Sequence, residues 1–463
     1  MNLAAAKSAL SHLEIDENPV SIRAKSRDFF WYSPVLKARL DHVAADFVVA
    51  PRTEAEVIEV LRTCHAHDVP VTTRGAGTGN YGQAMPLAGG CVLHMKNLAA
   101  VKAVQPGRVI VQPGCLLKDV DAACKPSGQE LRMFSSTWAT ATIGGFIAGG
   151  SGGVGSVTWG ALRDLGNIIR LRVVTMEAEP RVLDFTGEEL HRVSHAYGTN
   201  GIITELEMPL APAYDWVEMF VTCETFPQAA SFGADLADQD GILKKLVTVF
   251  EAPIAQDYFQ RVSPHAAPGL AVLGLMVAPH AMDGFLTFLA RRPHARLIYR
   301  SDAHDWPREP GAVFEYGWNH TTLRALKVDP AITYLQVRYA GPDYLDKIEA
   351  VRTAFGPEVM QHLEAMRENG RTVYAGLSLV RFSTEARLDE IVRIHEDLGC
   401  MIFNPHRYTL EEGGRQVVDE RQLQFKREAD PKGLLNPGKM IAWDAPAFGF
   451  DRVYAYAKMQ AAE

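Results

Sequence analysis

Two glycine-rich stretches constrain this chain more than anything else in it. One is Arg74-Gly-Ala-Gly-Thr-Gly-Asn80; the other runs from Thr142-Ile-Gly-Gly145 through Gly149-Gly-Ser-Gly-Gly-Val-Gly155. Glycine has no Cβ, so successive backbone N–H groups can converge on an anion and form a nest. Two such loops, about seventy residues apart, point to one large phosphate-bearing cofactor gripped from two sides. The first loop follows an apolar strand, Val69-Pro-Val-Thr-Thr73. Ahead of it, Phe47-Val-Val-Ala50 and a helix opened by Thr53-Glu-Ala-Glu56 complete a β-α-β unit. The spacing Gly75, Gly77, Gly79 is not the GxGxxG of a dinucleotide fingerprint, and the loop leads to Tyr81–Gly90 and a strand rather than to a helix. A nicotinamide-type site is therefore disfavoured.

The 463 residues exceed one hydrophobic core. A net charge of −8 argues against nucleic acid, which calls for a basic face. The six cysteines form no CxxC pair, so neither a disulfide framework nor a zinc ribbon is expected. With no leader-like N-terminus, the expectation is a cytoplasmic protein. The longest apolar run, Gly269–Ala278, is too short to span a bilayer and reads as a buried strand.

Three regions are expected: a cofactor-binding domain over 1–210, a substrate or cap domain over 211–410, and a C-terminal segment, 411–463, that returns to the first. The first is dense in glycine and short strands. In the second, strands at 217–222, 271–277, 331–339 and 372–380 alternate with helices at 226–236, 283–291, from Pro342, and at 386–398. That order predicts an α+β domain with helices on one face of an antiparallel sheet.

Eight segments occur in a telling order: Pro51–Val57, Pro70–Thr78, Gln112-Pro-Gly114, Thr142–Gly145, Gly152-Gly153, Trp159-Gly160, Gly198-Thr-Asn-Gly-Ile-Ile-Thr-Glu205 and Asp430-Pro-Lys-Gly-Leu-Leu-Asn-Pro-Gly-Lys439. Together they resemble the FAD-linked oxidase superfamily of vanillyl-alcohol oxidase and p-cresol methylhydroxylase, from about residue 45 to 440. The resemblance implies an α+β fold: a two-part FAD-binding domain of the PCMH type, with an α+β cap over the isoalloxazine ring. FAD would lie extended, its pyrophosphate against Arg74, Gly75, Ala76, Gly77, Thr78, Gly79 and Asn80. Gln83, Pro113, Gly114, Ser136, Thr142, Ile143, Gly144 and Gly145 would add contacts. So would Gly149, Gly152, Gly153, Trp159 and Asn436, with Gly201, Ile202 and Ile203 at the adenine end. Some members attach FAD through a histidine where this chain has Thr78, or through a cysteine where it has Ser135, Ser136 and Thr137. Neither nucleophile is present, so non-covalent FAD is expected.

Oxidation of an alcohol by a flavin needs a base near working pH, and histidine suits that best. Polar groups crowd two cap stretches, Phe314–Thr322 and Phe403–Glu412. They nominate His320, His406 and Tyr408, with Arg338 as a partner for a substrate carboxylate. For each histidine the plainer alternative is a surface or cap-stabilising role; for Arg338 it is a surface ion pair. His65-Ala-His67 and His191-Arg-Val-Ser-His195 have chelating spacing, but both fall in expected helices away from the ring and are read as incidental. The His-x-Gly-Asp-Gly-Asn-x-His metal motif of related 2-hydroxyacid dehydrogenases is missing, so no metal is expected. The resemblance thus implies an FAD-dependent oxidase or dehydrogenase of a small alcohol or hydroxy acid. Its electrons would pass to O2, a quinone or a protein. Alternatives are a 4-alkylphenol oxidase using Tyr408 and Arg407, or a non-catalytic flavin subunit. The expected partners are a small-molecule substrate and, as assembly, a homodimer.

Overall fold

The computed structural model describes residues 1–303, 309–414 and 416–450; the end of the expected C-terminal segment lies outside them. The β-α-β unit forms. Phe47–Val49 and Val71–Arg74 both run parallel to Cys91–His94, which inserts between them, and Ile15–Asp16 pairs antiparallel at the edge. The helix Glu54–Ala66 crosses between the strands and buries Val57, Val60 and Leu61. Its Thr53 hydroxyl caps Glu56 N–H at 3.2 Å. The Glu56 carboxylate reaches one residue further back than a capping box requires, to Arg52 N–H at 2.7 Å.

A second, antiparallel sheet follows in the order Val101–Gln105, Arg108–Val111, Ile202–Pro212, Arg170–Val174 and Val182–Thr186. Gln129–Leu131 pairs with the far end of the long strand Ile202–Pro212.

The cap is an eight-stranded antiparallel sheet. Helices Phe226–Ala237, Met282–Ala290, Tyr344–Phe355 and Glu385–Asp397 cover one face in a single apolar cluster. On the other face Phe220, Leu246, Phe250, Val272 and Met276 join the core of the glycine-rich first half. Side chains of a strand alternate between faces, so neighbours such as Val272 and Leu273 serve different cores.

The strand expected over 331–339 is two strands. Ile332–Tyr334 joins a three-stranded sheet, and Gln336–Tyr339 enters the cap sheet. The stretch 372–380 divides in the same way, into Arg371–Gly376 and Leu379–Arg381. Both segments change sheets together because each is the other's hydrogen-bonding partner in both sheets. The second glycine region is likewise not all loop: Ile143–Gly149 is a helix, capped by the Thr142 hydroxyl, which accepts from Gly145 N–H at 3.3 Å.

The segment after Asp430 runs beside Val71. Val71 N–H donates to Leu434 O and Asn436 N–H donates to Val71 O, each at 2.8 Å. Among the described residues, no helix is long and apolar enough to cross a membrane.

Candidate active site: a cofactor channel meeting a second cavity

A long channel runs between the two glycine regions and under the cap. Gly75, Ala76, Gly77, Thr78, Gly79 and Asn80 form one wall. Among the described residues, none accepts a hydrogen bond from the backbone N–H groups of 75–80. The wall is therefore a row of unsatisfied donors of the kind an anion takes up. Opposite lie Ser136, Thr142, Gly144, Gly145 and Gly149, with Gln83 and Pro113 beside them. The two walls come close because both are glycine. A Cβ on Gly75 would collide with Thr142 Oγ1, and one on Gly144 with Pro113. Gly152 lies at one end, and Gly201, Ile202 and Ile203 complete the lining. Thr73 Oγ1, Trp318 Nε1 and Asn319 Oδ1 belong to lining residues and have no hydrogen-bond partner. Buried polar atoms are rarely left unpaired, so the channel suits a ligand rich in donors and acceptors.

Six residues expected at the cofactor do not line the channel. Arg74 is buried beneath the loop, its guanidinium under Gly77 and bonded to Arg27 O at 3.1 Å and Gly75 O at 3.3 Å. From there it supplies positive charge below the row of N–H donors rather than a direct contact. Gly114 and Gly153 are packing glycines, where a Cβ would strike Met95 O and Phe134 O. Ile143 is core, 1% exposed. Trp159 is on the surface under Arg132, whose guanidinium carbon sits 4.4 Å from its ring centroid. Asn436 acts from behind, donating through Nδ2 to Gln83 O at 2.8 Å and Tyr197 O at 2.7 Å.

The N-terminal arm contributes what sequence reading missed. Asp28, Phe29 and Tyr32 line the channel. Burial pushes Asp28 up to about 6, against hydrogen bonds from Ala84 and Phe30 N–H and the charges of Lys439 and Arg74. Lys439, wholly buried and donating to Gly82 O at 2.6 Å, is pushed down to about 7 by the same desolvation, with Asp28 opposing. No local pattern around Asp28 announces this role.

A second cavity, of about 430 Å³, adjoins the channel under the cap sheet, within the usual range for a small-molecule site. Ser151, Gly152, His195, Trp318, Gln336 and Phe403 line both spaces and so mark their junction. His195 Nδ1 lies 3.0 Å from Gly150 O. A carbonyl only accepts, so Nδ1 carries the hydrogen and Nε2 is the basic nitrogen. This corrects the reading of His191-Arg-Val-Ser-His195 as helical and remote. The helix there ends at Arg192, and His195 stands at the junction with a φ of 55°. The available signal was its place three residues before the matched segment Gly198–Glu205.

The proposed cap residues fare differently. His406 reaches neither cavity; its Nδ1 meets Ser33 Oγ at 2.7 Å and its Nε2 meets Tyr334 O at 2.9 Å. The carbonyl fixes Nε2 as donor and Nδ1 as acceptor, so no lone pair is left for catalysis. Burial also holds this imidazole down at about 3. His320 lines neither cavity, and burial, with Arg324 and Lys327 nearby, lowers it to about 4. Its neighbours Trp318 and Asn319 are the ones at the channel, because the helix Asn319–Val328 begins here and turns His320 by about 100°. Tyr408 lies under Lys439, 4.9 Å from its ring centroid, and Arg407 pairs with Glu385 and Asp389. The phenol-oxidising alternative therefore loses both of its residues. Arg338 does line the second cavity, but its Nε donates to Glu368 at 3.0 Å and its Nη2 to the same carboxylate oxygen. Among the described residues, no group of three or more His, Cys, Asp or Glu side chains is placed to hold a metal ion.

Residues 45–184 match the family described as FAD binding domain. The chain carries an FAD-binding domain of the FAD-linked oxidase family. It is an FAD-linked oxidoreductase, and FAD is its cofactor. An uncharacterised FAD-linked oxidoreductase of Mycobacterium tuberculosis is 27% identical over 85% of this chain and 90% of its own length. The glycolate oxidase subunit GlcD of Bacillus subtilis is 32% identical over only 36% of this chain and 37% of its own. Among solved structures, alkyldihydroxyacetonephosphate synthase superposes with a TM-score of 0.70, covering 95% of this chain and 86% of that one at 15% identity. That likeness shows a shared fold.

Proposed function

We propose that this protein oxidises the hydroxyl-bearing carbon of a small organic substrate held in the second cavity. The observation that carries the reading is the junction: one space suited to FAD opens into another suited to a small molecule, with a histidine between them. FAD, when bound, supplies the hydride acceptor at N5. In this reading residues 1–210 hold FAD, residues 211–410 cover it, and the segment from 411 closes the second cavity. The N–H groups of 75–80 would take the pyrophosphate, and Gly201 to Ile203 the adenine end.

Removing a hydride from the carbon requires the hydroxyl proton to leave as well. In this reading His195 would receive it at Nε2, since Gly150 O keeps the hydrogen on Nδ1. Gln336, at the start of its strand, would orient the hydroxyl. Trp318 and Phe403 would exclude water from the junction.

Anaerobic mixing of the flavoprotein with a panel of alcohols tests this reading. A substrate should bleach the visible flavin bands. His195→Ala should slow bleaching by about 10²–10⁴-fold while leaving bound FAD in place. Val373→Trp, which fills the second cavity, should abolish substrate bleaching but not reduction by dithionite. Wild-type bleaching in both variants would refute it.

A further inference from the structure

The walls of the second cavity narrow what it can accept. Its apolar side is extensive: Trp318, Met366, Val373, Leu377, Phe403 and Met440 all face it. Three cations also line it, Arg163, Arg338 and Arg367, and each already has a carboxylate of its own. Arg338 is held by Glu368 through Nε and Nη2. Arg367 donates to Asp240 at 2.8 Å and to Ala237 O at 3.0 Å. Arg163 donates to Asp419 at 3.4 Å and to His191 O at 3.3 Å. The remaining acid, Glu411, is 3% exposed and accepts from Ile441 and Ala442 N–H, both at 3.0 Å. The charges of this wall are therefore matched within the protein. An anionic substrate would compete with Glu368, Asp240 or Asp419 for its arginine and bring a further negative charge beside them. A neutral molecule meets no such cost, and its apolar body gains from leaving water.

We propose that the second cavity takes a neutral hydroxyl compound with an apolar body, and rejects 2-hydroxy acids. The inference rests on reading this cavity as the substrate chamber. It sets the chain apart from the substrates named for its partial-length relatives, whose matches cover 36% of this chain.

The test uses the intact flavoprotein and reads binding by perturbation of the flavin spectrum. The probes are mandelate, its neutral isostere mandelamide, and the aliphatic series from 1-butanol to 1-octanol. Mandelamide should bind about tenfold or more tightly than mandelate. Affinity should rise about three- to fourfold per added methylene along the alcohol series. Glu368→Gln, which releases Arg338, should narrow the preference for mandelamide by raising mandelate affinity. Three outcomes overturn the proposal. If mandelate binds as well as mandelamide in the wild type and its affinity responds to Glu368→Gln, the cavity is the chamber but the substrate class is wrong. If the ligands bind but neither Glu368→Gln nor Val373→Trp alters their affinities, the chamber reading falls and takes the proposal with it. If none of the probes perturbs the flavin while Val373→Trp still blocks reduction by another alcohol, the chamber stands and the class is again wrong.

Discussion

The backbone N–H of Trp318 donates to the buried carboxylate of Glu364 at 2.5 Å. Trp318 has a φ of 49°, a region that bulky residues seldom occupy and that costs on the order of 1–3 kcal/mol. Glu364 Oε1 also receives Thr248 Oγ1 at 2.9 Å and sits 2.8 Å from His362 Nε2. This set of bonds holds the tryptophan at the junction of the two cavities despite its backbone conformation. Glu364→Leu should destabilise the holoprotein by about 3 kcal/mol, because it strands a buried N–H and two side-chain partners. Glu364→Gln keeps an amide oxygen for Trp318 and should cost less than half as much. Urea midpoints of the two variants decide this, and equal losses would count against a specific acceptor role.

Gly77 should tolerate no side chain. Its φ is 71°, and a Cβ would run into the Arg74 guanidinium. Gly77→Val should therefore abolish FAD retention, read as loss of visible absorbance in the purified protein, while the far-UV spectrum stays folded.

Asn436 ties two channel-lining residues, Gln83 and Tyr197, to each other through their carbonyl oxygens. Asn436→Ala leaves both carbonyls without that donor and should weaken FAD binding by about tenfold or more. Titration of the apoprotein with FAD, followed by flavin fluorescence, measures the change.

His406 gives a pH dependence with a definite sign. Burial lowers its folded pKa to about 3 from an ordinary value of 6.5, so below 6.5 the unfolded chain binds a proton that the folded one refuses. Its contribution to stability is complete above pH 6.5 and is lost progressively as pH falls towards 3. His406→Gln should be less stable than wild type at pH 7, since it disturbs the bonds to Ser33 and Tyr334. The gap should shrink by about 2 kcal/mol at pH 5. Urea midpoints at the two pH values test this; an unchanged gap would mean that His406 is protonated in the native state.

The channel was legible in the sequence to the extent that it is made of backbone. Gly75 to Asn80 and Gly144 to Gly149 are contiguous, and glycine is chosen where walls must approach, so their spacing carried the information. The junction was less legible because its side chains come from four separate stretches, around residues 151, 195, 318 to 336, and 403. Local crowding of polar residues misled for a physical reason. His406 sits in a polar neighbourhood because Tyr334 O and the Ser33 hydroxyl need partners inside the protein, and such a need looks the same in sequence as a catalytic one. His320 was missed by a single helical step. The sheet change at Leu335, which carries Gln336 into the cap, left no mark in an apolar run that reads as one strand.

The bond from Asn436 to Gln83 joins positions 353 residues apart, and it has a consequence for biogenesis. A ribosome adding about 5–20 residues per second needs roughly 20–70 s to travel between them. Throughout that interval the glycine loop exists without the segment that braces it and without the lysine that donates to Gly82 O. A nascent chain therefore emerges with an unfinished channel, whose bracing is among the last parts of it to be made.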